Sequence, residues 1–166
     1  MASVAEHLVH QLEGAGVRHI YGIVGDSLNP VVDAVRRSKK IRWIHVRHEE
    51  TAAFAAAAEA EITGQLAVCA GSCGPGNLHL INGLYDANRS HLPVLAIASH
   101  IPTSQIGTGF FQETHPDRIF DECSVFSEMI SSSEQVPRVT RSAIQQALSN
   151  HGVAVSVSYT HLTLPT

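Results

Sequence analysis

At 166 residues the chain has room for one hydrophobic core but not for two. Hydrophobic residues make up 44% and charged residues 16%, without a run of about 18 apolar residues, which excludes a membrane-spanning segment and predicts a soluble unit. The net charge of -4 argues against a nucleic-acid surface, and the basic group Arg36, Arg37, Lys39 and Lys40 reads as a solvated helix end that complements a C-terminal dipole.

Val4, Leu8 and Leu12 recur on one helical face until Gly14-Ala15-Gly16 interrupts them, and the apolar run from Ile20 to Val24 then reads as a strand. The alternation continues with helix over 28–37, strand over 41–46, helix over 49–62, strand over 65–70 and helix over 75–88. A short strand over 93–99 leads into a polar, Gly-bearing segment, 100–116, of the kind that tends to be functional. A short helix over 117–121, a strand over 125–130, a helix over 134–149 and a strand from Gly152 complete the series. Strands alternating with helices of this length require right-handed crossovers. The predicted fold is therefore α/β, a doubly wound, mostly parallel sheet with helices on both faces.

Ligands of such sheets sit beyond the carboxyl ends of the strands, which directs attention to the segments after Val24, Val46, Ala70 and Ser99. In the first, Gly25 suits a tight turn and Asp26 or Ser27 can cap the next helix. In the second, Glu49 and Glu50 open an alanine-rich helix, where acids favour the dipole without any catalysis. The third, Gly71-Ser72-Cys73-Gly74-Pro75-Gly76-Asn77, lets backbone approach a ligand, but lacks the Lys of a nucleotide-binding loop and the spacing of a dinucleotide fingerprint. In the fourth, Phe110, Phe111 and Gln112 suit either anchoring to the core or contact with a ligand.

The three cysteines, Cys69, Cys73 and Cys123, show no zinc-like repetition, and no secretory leader precedes Val4; a reducing cytoplasm is expected. Cys73 has no orienting group that would make it a nucleophile. The eleven histidines form no i, i+4 ligand pair with a carboxylate, so no metal site is expected in this chain.

Taken in order, Gly25-Asp26-Ser27-Leu28-Asn29, Arg47-His48-Glu49-Glu50, the stretch from Cys69 to His79, and Phe111-Gln112-Glu113-Thr114-His115-Pro116 resemble the N-terminal, pyrimidine-binding domain of thiamine-diphosphate enzymes of the pyruvate oxidase group. Within that group the pattern is most similar to quinone-dependent pyruvate dehydrogenases, also called pyruvate oxidases. Acetolactate synthases share the His-Glu and Gly-Pro-Gly elements but typically carry Ser-Gly-Pro-Gly-Ala-Thr-Asn where this chain has Cys73-Gly74-Pro75-Gly76-Asn77-Leu78-His79.

The resemblance implies that Glu49 hydrogen-bonds the pyrimidine nitrogen of thiamine diphosphate and so promotes loss of the thiazolium C2 proton, giving an ylid that attacks pyruvate or another small 2-oxo acid. It further implies that Gly25, Gly74, Pro75 and Gly76 lie near the pyrimidine and that Phe111 and Gln112 line the substrate side. Carbon dioxide and acetate are the implied products, with electrons passing through flavin. Mg2+ on a Gly-Asp-Gly motif, absent here, and FAD are implied to belong to domains outside this chain, with the site formed between subunits of a homo-oligomer. The chain alone is then expected to be inactive. The alternatives are an acetolactate synthase-type carboligase domain and a non-catalytic α/β binding or interaction module.

Residues 157–166 depart from this pattern and can be back-translated into the transposon-end and adaptor sequence of a common sequencing-library method. The expected organisation is one pyrimidine-binding domain over 1–156 and a foreign tail over 157–166.

Overall fold

The computed structural model describes residues 3–158, which form six parallel strands in the order β2-β1-β3-β4-β6-β5, covered by helices on both faces. The strands are β1 (His19–Gly22), β2 (Arg42–His45), β3 (Ala67–Gly71), β4 (Val94–Ser99), β5 (Phe126–Ile130) and β6 (Val153–Ser158). The helices are α1 (Val4–Gly14), α2 (Asn29–Ser38), α3 (Glu49–Thr63), α4 (Pro75–Arg89), the single turn α5 (Pro116–Ile119) and α6 (Val136–Asn150).

Burial on both faces explains why the central strands are continuous apolar runs. In β3, Val68 and Ala70 face a core built with α1, α2 and α6, while Ala67 and Cys69 face a second core built with α3 and α4. The first core is large-residue packing, with Leu8, Leu12, Val31 and Val35 meeting Ile20, Leu95 and Ile97. The second is small-residue packing: Ala52, Ala53, Ala56, Ala57 and Ala60 of α3 are all buried. α3 packs these alanines against the sheet and α4 and leaves Thr51, Phe54, Ala58, Glu61 and Ile62 on its exposed face.

Helix ends follow local chemistry. Ser3 and Glu6 form a reciprocal capping box at the start of α1. His48 caps α3 by accepting from the Glu50 amide, and Gly64 ends that helix in the left-handed region. The basic residues in and just after the last turn of α2 form a salt-bridged belt: Arg36 and Arg37 bind Asp33, Arg37 also reaches Glu6, and Lys40 binds Glu13.

One local expectation is revised. Neither Asp26 nor Ser27 caps α2; residues 26–28 form a single 3-10 turn, and the Ser27 hydroxyl is turned into the protein instead. The boundary expected after residue 156 falls within β6, because Val157 pairs with Ala98 and Met129, and Ser158 pairs with Ser99 and Ile130. The rest of the expected foreign tail, 159–166, lies outside the described residues.

Candidate active site

The strand order fixes where a ligand can enter. From β1 the chain crosses to β2 on one side, whereas from β3 it crosses to β4 on the other, so the connections after β1 and β3 diverge and leave a crevice between them. A cleft of about 380 Å³ lies there, lined by Val24, Gly25 and Asp26 after β1, Glu49 at the start of α3, Ser72, Cys73, Pro75 and Gly76 after β3, and Gln112. The structure thus brings Gly25, Glu49, Pro75, Gly76 and Gln112 of the predicted set into one cavity wall.

Gly74 adjoins it. With φ at +70° and Gln112 backbone and Cβ atoms 3.0 Å from where its own Cβ would stand, no other residue fits without displacing Gln112. The same contact holds the 100–116 segment against the β3–α4 turn, aided by the Cys73 thiol, which donates to Gln112 Oε1 over 3.5 Å. Phe111 behaves differently. It is 84% exposed and meets the Phe110 ring at a tilt of 44°, centroids 4.8 Å apart, so it does not anchor the loop to the core.

Beneath the cleft floor is a cluster of hydroxyls that the sequence reading did not identify. Ser27 Oγ is 2.6 Å from Ser99 Oγ and 2.8 Å from Ser72 Oγ, and it accepts from the Cys73 amide at 3.0 Å. Ser99 Oγ donates to the Gly71 carbonyl, and the Asn77 side chain donates to the Ser99 carbonyl. These bonds tie the ends of β1, β3 and β4 together. The only advance signal was a serine at each of three strand ends, which composition alone does not separate from turn chemistry.

Glu49 is the buried acid of the site, 8% exposed, in a cleft lined otherwise by glycines, small side chains, Gln112 and the exposed Asp26. Its Oε1 stands 3.2 Å from the position a Cβ on Gly76 would take, and its Oε2 is 3.0 Å from His79 Nδ1. Glu50 points elsewhere, to the Asn82 side-chain amide outside the cleft. The two acids at the start of α3 are therefore distinguished by partner and by burial.

His79 was quoted in the sequence motif without a role. It reaches Glu49 because α4 lies close against α3: His79, Asn82 and Gly83 share one helical face, and a Cβ on Gly83 would be 2.6 Å from that of Ala53. His48 covers the His79 ring, centroids 4.4 Å apart and planes 25° from parallel. Ligand atoms of His48, Glu49 and His79 lie within 4.8 Å of one another, a grouping hidden from a search for i, i+4 pairs. His48 Nδ1 already accepts from the Glu50 amide and His79 Nδ1 is bonded to Glu49, an arrangement that suits a hydrogen-bonded carboxylate and imidazole better than a shared ion.

Burial pushes the thiols of Cys69 and Cys123 up to about 12 and about 11, so both stay protonated core residues. The buried acid of the cleft is Glu49; the lining also holds the exposed Asp26 and the Gln112 amide of the adjacent segment.

An open parallel sheet with a buried carboxylate at its switch point defines an α/β domain whose ligand cleft lies between the diverging strand ends. The model of the thiamine pyrophosphate enzyme N-terminal TPP-binding domain matches residues 2–120, and the chain belongs to that family. An uncharacterized 42.6 kDa protein of Pseudomonas amyloderamosa is 62% identical over 93% of this chain and 39% of its own length. The pyruvate oxidase of Lactiplantibacillus plantarum is 42% identical over 89% of the chain and 25% of its own length. The acetolactate synthase of Mycobacterium bovis is 37% identical over 92% of the chain and 25% of its own length. The chain thus spans between a quarter and two fifths of these relatives.

Proposed function

We propose that this domain binds the aminopyrimidine end of thiamine diphosphate within an enzyme that oxidatively decarboxylates pyruvate, or another small 2-oxo acid, giving acetate and carbon dioxide from pyruvate. The observation that carries the reading is Glu49, a carboxylate only 8% exposed, at the mouth of the switch-point cleft of a thiamine pyrophosphate family domain. Similarity to pyruvate oxidase at 42% and the Cys73 to His79 sequence favour the oxidase over the carboligase branch.

The cleft fits a small planar ring. Its walls are mostly backbone and small side chains, a Cβ on Gly25 would stand 2.5 Å from Ser72 Oγ, and the buried Glu49 Oε1 borders it at Gly76, with the exposed Asp26 also in the lining. When bound, the cofactor supplies a nucleophilic carbon that adds to the 2-oxo group and holds the electron pair released with carbon dioxide. Glu49 holds and moves a proton at its cleft-facing oxygen, in contact with the pyrimidine nitrogen. Gly25, Gly74, Pro75 and Gly76 let the ring approach backbone, while Phe111 and Gln112 border the substrate side. The reading assigns Mg2+ and FAD to domains outside this chain, and the remaining wall of the site to a partner subunit of a cytoplasmic homo-oligomer.

The test is deuterium exchange at the cofactor C2 position in an enzyme that carries this domain together with its diphosphate and flavin domains. Glu49→Gln should slow exchange by about a hundredfold or more, the range of lost acid-base catalysis, with cofactor occupancy retained. Glu50→Gln should stay near wild type, because Glu50 is engaged with Asn82 outside the cleft. The reverse pattern would overturn the assignment, and 2-acetolactate rather than acetate as the product would move the domain to the carboligase branch.

A further inference from the structure

We propose that His79 is a positioning residue for Glu49: its Nδ1–H holds Oε2 of the carboxylate, so that Oε1 alone is presented to the cleft. This rests on the proton-handling role proposed for Glu49. A carboxylate side chain ending a flexible stem has two equivalent oxygens, and rotation about the terminal bond exchanges them. Here the exchange is opposed from one side. Oε2 is 3.0 Å from His79 Nδ1, while Oε1 stands beside Gly76 in the lining of the cleft.

His79 is itself held. It projects from α4 on the face that carries Gly83, and the close Gly83 to Ala53 approach fixes the distance between α4 and α3 at the level of the acid. The His48 ring lies over the His79 ring and limits its rotation. His48 in turn accepts from the Glu50 amide as the cap of α3, so the chain of contacts closes on the turn that carries Glu49. The His79 side chain is 44% exposed and that of Glu49 10%, so the imidazole also bridges the buried carboxyl to solvent, the route a proton needs to reach it.

The geometry requires one tautomer. A carboxylate accepts only, so the neutral ring must carry its proton on Nδ1 and leave Nε2 bare. In this 166-residue chain, ring 15N spectra in mildly basic buffer should show His79 as the Nδ1–H tautomer. Glu49→Ala should remove that preference, and Glu50→Ala should leave it. A wild-type ring protonated on Nε2 would overturn the proposal without reference to any cofactor.

In the full-length enzyme loaded with thiamine diphosphate, His79→Ala should slow C2 exchange roughly ten- to a hundredfold, the scale of a misplaced catalytic group. His79→Asn places an amide N–H near the former Nδ1 and should recover most of the rate, whereas His79→Gln should not. In a Glu49→Gln background, His79→Ala should cause no further slowing. Equal losses in His79→Ala and His79→Asn, or an undiminished effect in the Glu49→Gln background, would show that His79 does not act through Glu49. Unchanged exchange in Glu49→Gln alone would instead overturn the proposed function itself, an outcome that the double variant keeps separate.

Discussion

The α3–α4 seam and the 100–116 segment border the same cleft and place their side chains by opposite means. In the seam, Gly83 meets Ala53, His79 holds Glu49, and the buried alanines of α3 leave no slack between helices. The segment places Phe111 84% exposed, turns at Gly107 and Gly109 with φ of +78° and +74°, and touches the seam side through Gln112 at Gly74. Small residues packed helix to helix hold the carboxyl oxygen at one place in the cleft wall. A glycine-bearing loop held by a few polar bonds leaves an aromatic side chain free to adjust. The contrast matches what each side is proposed to do, one to hold a proton and the other to meet substrates.

The largest effect should come from breaking the seam. Gly83→Val places a branched side chain where a Cβ alone would already be 2.6 Å from Ala53 Cβ, 3.0 Å from the Phe54 amide nitrogen and 3.1 Å from the Glu50 carbonyl. Two of these neighbours are backbone, so the helices must separate, and overpacking of this kind costs about 3 kcal/mol, offsetting any gain in helix propensity. In a chain of this size that corresponds to a fall in Tm of roughly 6–12 °C, read by calorimetry or circular dichroism. A variant as stable as wild type would mean that the seam tolerates separation and does not fix Glu49.

A smaller loss is expected where the strand ends are tied. Ser27→Ala removes the acceptor of the Cys73 amide and the partner of the Ser72 and Ser99 hydroxyls. Ser99 keeps its bond to the Gly71 carbonyl, so the main cost is one unpaired amide at a buried residue, about 2 kcal/mol. Urea denaturation measures it, and faster hydrogen exchange at the Cys73 amide localises it. A loss below about 0.5 kcal/mol, the range of surface substitutions, would place the cluster outside the energetics of the site.

The two regions also differ in how far their residues reveal them. Periodicity located every helix and strand to within a few residues, because burial on both faces of a parallel sheet leaves long apolar runs, as in β4 and β6. Local order also placed Glu49 after a strand and at a helix start. What periodicity did not contain was the partner of that acid: His79 is thirty residues away, and only the packing of α3 on α4 brings it within 3.0 Å. The same holds for the hydroxyl cluster, whose outer members Ser27 and Ser99 are separated by 72 positions and joined by the strand order. The capping expectation for Ser27 failed for a related reason, since a tertiary partner won its hydroxyl over the nearby helix end. On the loop side, the sequence left anchoring and ligand contact open for Phe111, and its exposure removes anchoring.

The smallest effect should come from the loop, through Glu113. Its carboxylate accepts from the Gly107 amide at 2.6 Å and the Gly109 amide at 3.0 Å, closing the 107–113 turn. The bond from Gly107 is the main cause of a pKa below the ordinary value of 4.5; desolvation opposes it, and the Gly109 bond adds to the lowering. A carboxyl whose folded pKa is depressed contributes stability that is present above its unfolded value and lost as pH falls through the folded one. The turn should therefore stay closed at neutral pH and loosen only in acid below the ordinary carboxylate range. The amide protons of Gly107 and Gly109 report this directly: both should shift together during acidification, with a midpoint below 4.5, and Glu113→Gln should abolish the transition. Global Tm should barely move in that variant, because the group is only half-buried and the segment has few buried contacts of its own. If the two amides titrate at or above the ordinary value, or if Glu113→Gln lowers Tm as much as Ser27→Ala does, the loop is bound into the core after all, and the division between a fixed and an adjustable wall of the cleft does not hold.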